Sequence, residues 1–205
     1  MPTMDETAKC QNMAKNAEAF SLGLENKFKE NYSVAIEHFE KALELFPEDH
    51  ASMYELSALY TTLGLSEKGF EMIKKAVELD SSNKWYKIRL ADFYKQQYDY
   101  DSFIIIYDEL LESDPNNLEY LEAYIDALLH LERYEQVIEK LDVYEENVGV
   151  NEYISLQKIE IYNYIGKKNE ILHEMEKLAN AYPYETRYLS MLAEAYVQSG
   201  RNKDA

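Results

Sequence analysis

Four histidines, one cysteine and 39 acidic residues are the side chains of this 205-residue chain with the most chemistry to offer. Their spacing offers little of it. His38, His50, His130 and His173 never fall three or four residues apart, so no two of them can share a helix face around a metal ion. His173-Glu174 is not followed by the second histidine of a zinc-protease helix. No glycine-rich phosphate loop and no nucleophile elbow occurs. The acidic pairs have the spacing of solvated helix faces. Cys10 stands alone, so no disulfide can form within the chain. These residues predict neither catalysis, nor a metal, nor a cofactor, and what is left for the chain to do is recognition by surface.

The elements that would carry such a surface are legible from residues 32–49, YSVAIEHFEKALELFPED. Ile36, Phe39 and Leu43 form one stripe of a 3.6-residue period, with Ala35 and Ala42 beside it to admit a close neighbour. Pro47 stops the helix, having no N–H to give and forcing its predecessor out of the helical region. One such helix cannot bury its stripe alone. The chain repeats it instead. Pro47, Pro115 and Pro183 stand 68 residues apart, twice 34, and Gly166 and Gly200 stand 34 apart. The aromatic column Tyr60, Tyr94, Leu128, Tyr162, Tyr196 and the core column Phe39, Ile73, Tyr107, Leu141, Met175 keep the same interval of 34.

Each period reads as a helix, a turn and a second helix. The turns are expected at Gly64-Leu65, Gln97-Tyr98 and Gly166-Lys167. No segment alternates with the period of two that a strand requires. The predicted fold is therefore all-α, with helical hairpins stacked into a right-handed α-α superhelix of 34-residue period. Residues 1–15 are read as an N-terminal helical extension or the start of the first helix. The array proper is expected over 16–205, with repeats at 16–49, 50–83, 84–117, 118–151 and 152–185 and a partial one at 186–205.

This pattern resembles the tetratricopeptide repeat. Gly23, Tyr32, Ala35, Ile36, Phe39, Ala42, Leu43 and Pro47 match the family in the first repeat. Ser57, Tyr60, Gly64, Gly69, Ile73 and Ala76 match in the second, and Ala91, Tyr94, Tyr100, Tyr107 and Pro115 in the third. Departures gather later, where Phe103, Leu110, Ile125, Val137, Tyr144, Ile159, Ile171 and Leu178 replace small residues. Groups of that size should hold paired helices further apart or at a different crossing angle.

In this family, the first helix of each pair lines the inner face and ligands lie along it. The resemblance therefore implies a groove at Phe20 and Leu24, Tyr54 and Ala58, Ile88 and Asp92, Glu122 and Asp126, and Leu156 and Glu160, with Trp85, Glu119 and Tyr153 one turn earlier. As a ligand groove, the residues singled out are Tyr54, Trp85, Ile88, Asp92, Glu122, Asp126, Tyr153, Leu156 and Glu160. Tyr54, Trp85 and Tyr153 are expected to act as anchors, and the carboxylates to meet basic groups of an extended or helical partner segment. Some members grip a partner's terminal carboxylate with lysine, arginine and asparagine. Here the leading clamp positions are Phe20 and Leu24, neither a donor, which disfavours an acidic chaperone tail.

Composition agrees with a repeat array. Hydrophobic residues make up 46% of the chain, and four prolines with six glycines leave no flexible linker. A net charge of −18 repels phosphate backbones and favours basic partners, so nucleic acid is not expected. The N-terminus lacks the apolar core of a secretory signal. The longest apolar run, 103–107, falls far short of the ~20 residues that span a bilayer. A soluble, cytoplasmic protein is the expectation, with an exported protein that has lost its signal as the alternative. Leu192, Tyr196 and Gly200 have nothing after them to cover them, which predicts either further chain or self-association through that end. Two functions fit: a non-catalytic protein- or peptide-binding scaffold, or a regulatory or targeting N-terminal module of a longer catalytic or signalling protein.

Overall fold

The computed structural model describes residues 4–201. The Cys10 side chain and the last four residues of the chain lie outside the described part. Among the described residues there are eleven helices and no strand: α1 (Met4–Phe28), α2 (Tyr32–Leu45), α3 (His50–Thr62), α4 (Ser66–Leu79), α5 (Lys84–Gln96), α6 (Tyr100–Ser113), α7 (Leu118–His130), α8 (Tyr134–Val148), α9 (Glu152–Tyr164), α10 (Lys168–Ala181) and α11 (Thr186–Gln198). The all-α reading holds. The helices divide between Asp99 and Tyr100 into two compact units, α1–α5 and α6–α11.

Two local signals set the rhythm. The first helix of a hairpin is capped by the side chain of Asp49, Asn83, Asn117 or Asn151, which accepts from the N–H of Ser52, Trp85, Tyr120 or Ile154 respectively. Each such cap satisfies a backbone donor the helix leaves unpaired and stabilises by about 1 kcal/mol. These caps are spaced 34 residues apart, from 49 through 83 and 117 to 151.

The second signal closes the hairpin. Positive φ occurs at Glu30, Gly64, Tyr98, Glu132, Gly166 and Gly200, again at intervals of 34. At each, the N–H of the next residue donates to a carbonyl five residues back, as Leu65 does to Tyr60 and Arg133 to Leu128. That is the left-handed turn that ends a helix by satisfying its last carbonyls. Glycine adopts it freely. Glu30, Tyr98 and Glu132 adopt it against a steric cost of about 1–2 kcal/mol.

Packing follows the size of the side chains that meet. In the first unit α1 and α2 lie close, as do α3 and α4. Gly23 is buried with the Phe39 ring over its α-carbon, and Gly69 faces Ser57 and Phe93. Ala35, Phe39, Leu56, Leu59 and Tyr60 form a buried core there, flanked by Phe20, Ile36 and Met72. Complete burial of a side chain like Phe39 contributes about 1.5–3 kcal/mol.

In the second unit, Phe103, Leu110, Leu121, Leu128, Leu141 and Ile154 are buried. There α7 and α8, and α9 and α10, approach less closely than the first two hairpins do. Ile125 opposite Val137, and Ile159 opposite Ile171, stand where the first unit has Gly23 with Ala35 and Ser57 with Gly69. The looser hairpins are those with the larger pairs, an outcome that wider spacing and a changed crossing angle both give.

Candidate functional site

The nine groove residues fall on the first helices of their hairpins, four in the first unit and five in the second. In the first unit, Tyr54 is half-buried and already engaged. Its ring lies 5.1 Å from that of Tyr86, and the Arg89 guanidinium sits 4.6 Å from its centroid. Arg89 Nη2 also donates to the Tyr54 hydroxyl at 3.4 Å, and His50 Nδ1 lies 2.9 Å from the Tyr86 hydroxyl. Trp85, by contrast, is 60% exposed, with the Lys84 ammonium 5.2 Å from its ring centroid. Ile88 is half-buried, and Asp92 is exposed along its side chain while neighbours partly desolvate its carboxyl. Partial burial raises the Asp92 carboxyl above its ordinary value, with Arg89 and Lys95 pulling it back. Sequence reading missed Arg89, a cation among residues expected to be aromatic or acidic.

In the second unit, Glu122 and Tyr153 are brought together. Burial, the Glu122 charge and a hydrogen bond to Glu122 push the Tyr153 phenol up to about 12. Tyr153 keeps 38% of its surface and Glu122 is exposed, while Asp126 is half-buried. Leu156 and Glu160 lie one turn apart on α9, and both line an open pocket of about 390 Å³. Its apolar floor includes Ile159, Ile171, Met175 and Met191, and its rim includes Glu160, Glu194, Asn163 and Gln198. Ile159 of α9 and Ile171 of α10 face it from the two helices of one hairpin. The bulk of those two residues was readable in the sequence. Met191 and Glu194 were not singled out, although Glu194 stands one 34-residue period beyond Glu160.

A buried ionic cluster in the same unit also escaped the sequence reading. Lys158 occupies the register of Leu56, Leu90 and Leu192, yet it is fully buried. Its Nζ pairs with Asp142, with Glu145 at 2.7 Å and with Glu174 at 3.8 Å. Lys177 completes the network at 2.6 Å from Glu145 and 2.8 Å from Glu174. Burial works to lower the Lys158 ammonium, but the hydrogen bonds it donates to Asp142 and Glu145 and the charges of Glu174 and Glu145 hold it above its ordinary value. Burial likewise works to raise Glu145, and the hydrogen bonds it accepts from Lys158 and Lys177, with their charges, outweigh it, leaving the carboxyl lowered. Asp142, Glu145 and Glu174 are the set of acidic groups among the described residues close enough to hold a metal ion. The Lys158 ammonium sits where that ion would.

Comparison with known proteins accords with this geometry. Tetratricopeptide repeat profiles match residues 21–84 and 86–117. Hsp70-Hsp90 organizing protein 3 of Arabidopsis thaliana is 35% identical over 99 residues, 47% of this chain and 17% of that protein. Tetratricopeptide repeat protein 21A of Mus musculus is 25% identical over 118 residues, 58% of this chain and 9% of that one. The chain thus spans less than a fifth of these relatives' lengths. Among solved structures, MamA (AMB-1) aligns with a TM-score of 0.61 at 17% identity, covering 87% of this chain and 98% of that one. YrrB, described as a protein of this repeat class with an unusual peptide-binding site, aligns at 0.61 and 14% identity, covering 92% and 97%. Likeness at that identity speaks for the fold alone, an all-α helical repeat. No described helix is long and apolar enough to cross a membrane.

Proposed function

We propose that this chain, which is a tetratricopeptide repeat protein, is a protein- or peptide-binding scaffold with no chemistry of its own. One observation carries the reading. Leu156 and Glu160, chosen from sequence as ligand-facing, line an open pocket whose floor is apolar and whose rim holds two carboxylates, Glu160 and Glu194. That arrangement suits an apolar anchor side chain flanked by lysine or arginine. The chain's net charge of −18 would draw such a segment in from solution.

Two further observations support the same partner chemistry. Trp85 offers a large exposed ring in the first unit, and aromatic anchors dominate binding energy at protein interfaces. Phe20 and Leu24 supply no donor for a terminal carboxylate, so an acidic chaperone tail is not the ligand proposed, even though an Hsp70-Hsp90 organizing protein is among the relatives.

Panning a phage-displayed library of linear peptides against the whole chain tests this. Enriched peptides should carry an apolar residue beside Lys or Arg and weaken by about tenfold, or 1.4 kcal/mol, on Glu160→Lys or Glu194→Lys. Binders indifferent to both changes and to Trp85→Ala would overturn the reading.

A further inference from the structure

The second unit also carries a cleft on its other side. It runs between the second helices α6 and α8, with α7 as its floor. At about 100° per residue, the α7 residues that floor it, Leu121 and Tyr124, point about 150° away from Glu122 and Asp126. The cleft has two adjoining chambers that share Lys140 and Val143 as a common wall. One, of about 250 Å³, is walled mainly by carbon, from Leu111, Pro115, Leu121, Val143 and Tyr144. That is smaller than the roughly 300–1,000 Å³ of small-molecule sites and of a size for one side chain. The other, of about 360 Å³, is polar and bordered by Asp108, Gln136 and Glu139.

The polar end carries one more carboxylate than it has cations. Lys140 is the cation there, and it is already committed, with its Nζ 2.5 Å from Asp108 Oδ1 and 4.7 Å from the Tyr124 ring centroid. Glu139 is exposed and adds a second negative charge to the same chamber. Burial, then the charges of Asp108 and Glu139, raise the Tyr124 phenol on the chamber floor, with Arg133 pulling it back. The apolar chamber keeps Val143 49% exposed at its lip.

Spacing along α8 then sets the geometry of an occupant. The polar chamber takes residues 136–143 of that helix and the apolar one takes residues 140–147. Their centres are offset by about four residues, or about 6 Å, close to the 5.4 Å pitch of a helix. A helix lying along the cleft would therefore meet both chambers with side chains three or four residues apart.

We propose that this outer cleft is a second docking surface, for a basic helical segment of another protein. Its apolar side chain enters between Leu111, Leu121 and Tyr144, and its lysine or arginine, one turn away, meets Asp108 and Glu139. A second copy of this chain, itself at −18, and a nucleic acid would both bring further negative charge to a negative chamber.

A phage-displayed library of single-helix scaffolds, panned against the whole chain, provides the test. Val143 and Glu139 are exposed, so Val143→Asp and Glu139→Lys leave the core intact, and circular dichroism checks that they do. Enriched helices should carry an apolar residue and a Lys or Arg three or four positions apart. Each variant should weaken them about tenfold or more, while Glu160→Lys, in the inner pocket, should leave them unchanged. The proposal is overturned by an absence of enrichment, by binders both variants retain, or by binders with Asp or Glu at the second position. Loss on Glu160→Lys would move the binders to the inner pocket and equally remove the outer site. Sedimentation showing a dimer that Val143→Asp dissolves would make the occupant a second copy and refute the proposed partner.

Discussion

Replacing Lys158 by leucine should destabilise the protein, although leucine is what Leu56, Leu90 and Leu192 place in the same register. The magnitude follows from what the ammonium leaves behind. Asp142 is 53% exposed and can return to water, so losing that pair costs about 0–1 kcal/mol. Glu145 and Glu174 are 11% and 5% exposed and cannot. Each also has one buried oxygen, Oε1 of Glu145 and Oε2 of Glu174, with no hydrogen-bond partner. Breaking a buried pair costs about 3–5 kcal/mol. Lys177 remains against both carboxylates, which puts Lys158→Leu near the lower end, about 3 kcal/mol.

The compensated variant Lys158→Leu with Glu145→Leu and Glu174→Met removes the stranded carboxylates, using residues found one or more periods away at Leu111 and Met72. It should recover all of the loss and gain up to about 4 kcal/mol over the parent, as apolar replacements of buried ionic sets do. Urea unfolding followed by far-ultraviolet circular dichroism is the assay, because Trp85 lies in the other unit and its fluorescence would not report on this region. A parent-like urea midpoint for Lys158→Leu alone would refute the reasoning, and so would a triple variant weaker than the single one.

The same cluster gives a pH dependence of definite sign. Glu145 is lowered, so its contribution is present above the unfolded value of about 4.3 and lost as pH falls through the lower folded one. Lys158 is raised, so its contribution is full below about 10.4 and fades as pH rises through the folded value. Urea midpoints taken across pH should show the acid-side loss shrink in the compensated variant. Gly23→Ala and Gly69→Ala should each cost about 1–3 kcal/mol. The added methyl would stand 2.6 Å from Phe39 Cε1 in one case and 3.0 Å from the Ser57 carbonyl in the other, and thermal melts read the loss. Glu132→Gly should raise stability by up to about 1 kcal/mol in urea titration, relieving a left-handed residue whose side chain is exposed.

What was legible in the sequence was the part repetition writes more than once. Pro47, Gly64, Tyr98 and Gly166 marked helix ends because backbone geometry restricts which residues can stand there. The core column showed because Phe39, Ile73 and Leu141 are apolar at one interval. Lys158 was hidden for the opposite reason. A lysine in a helix reads as a solvated face, and its burial depends on Asp142, Glu145 and Glu174, which only the fold brings to it. The size of Ile159 and Ile171 was plain, and so was the expectation that it changes the spacing or the crossing angle of a hairpin. That a pocket lies beside Leu156 and Glu160 depends on α11, whose Met191 and Glu194 complete it. Tyr54 was legible as an aromatic on the correct helix, but not as one already held by Tyr86 and Arg89.

The left-handed residues at 30, 64, 98, 132, 166 and 200 bear on how such a chain changes length. Every hairpin closes through the same bend whether glycine, glutamate or tyrosine stands in it, so one joint is interchangeable with the next. Recombination that joins residue 132 to residue 167 drops one whole module and leaves a bend of unchanged form. A cut at any other interval would splice a helix out of phase with its stripe. Growth and shrinkage of the array are therefore counted in units of 34, and the backbone does the counting.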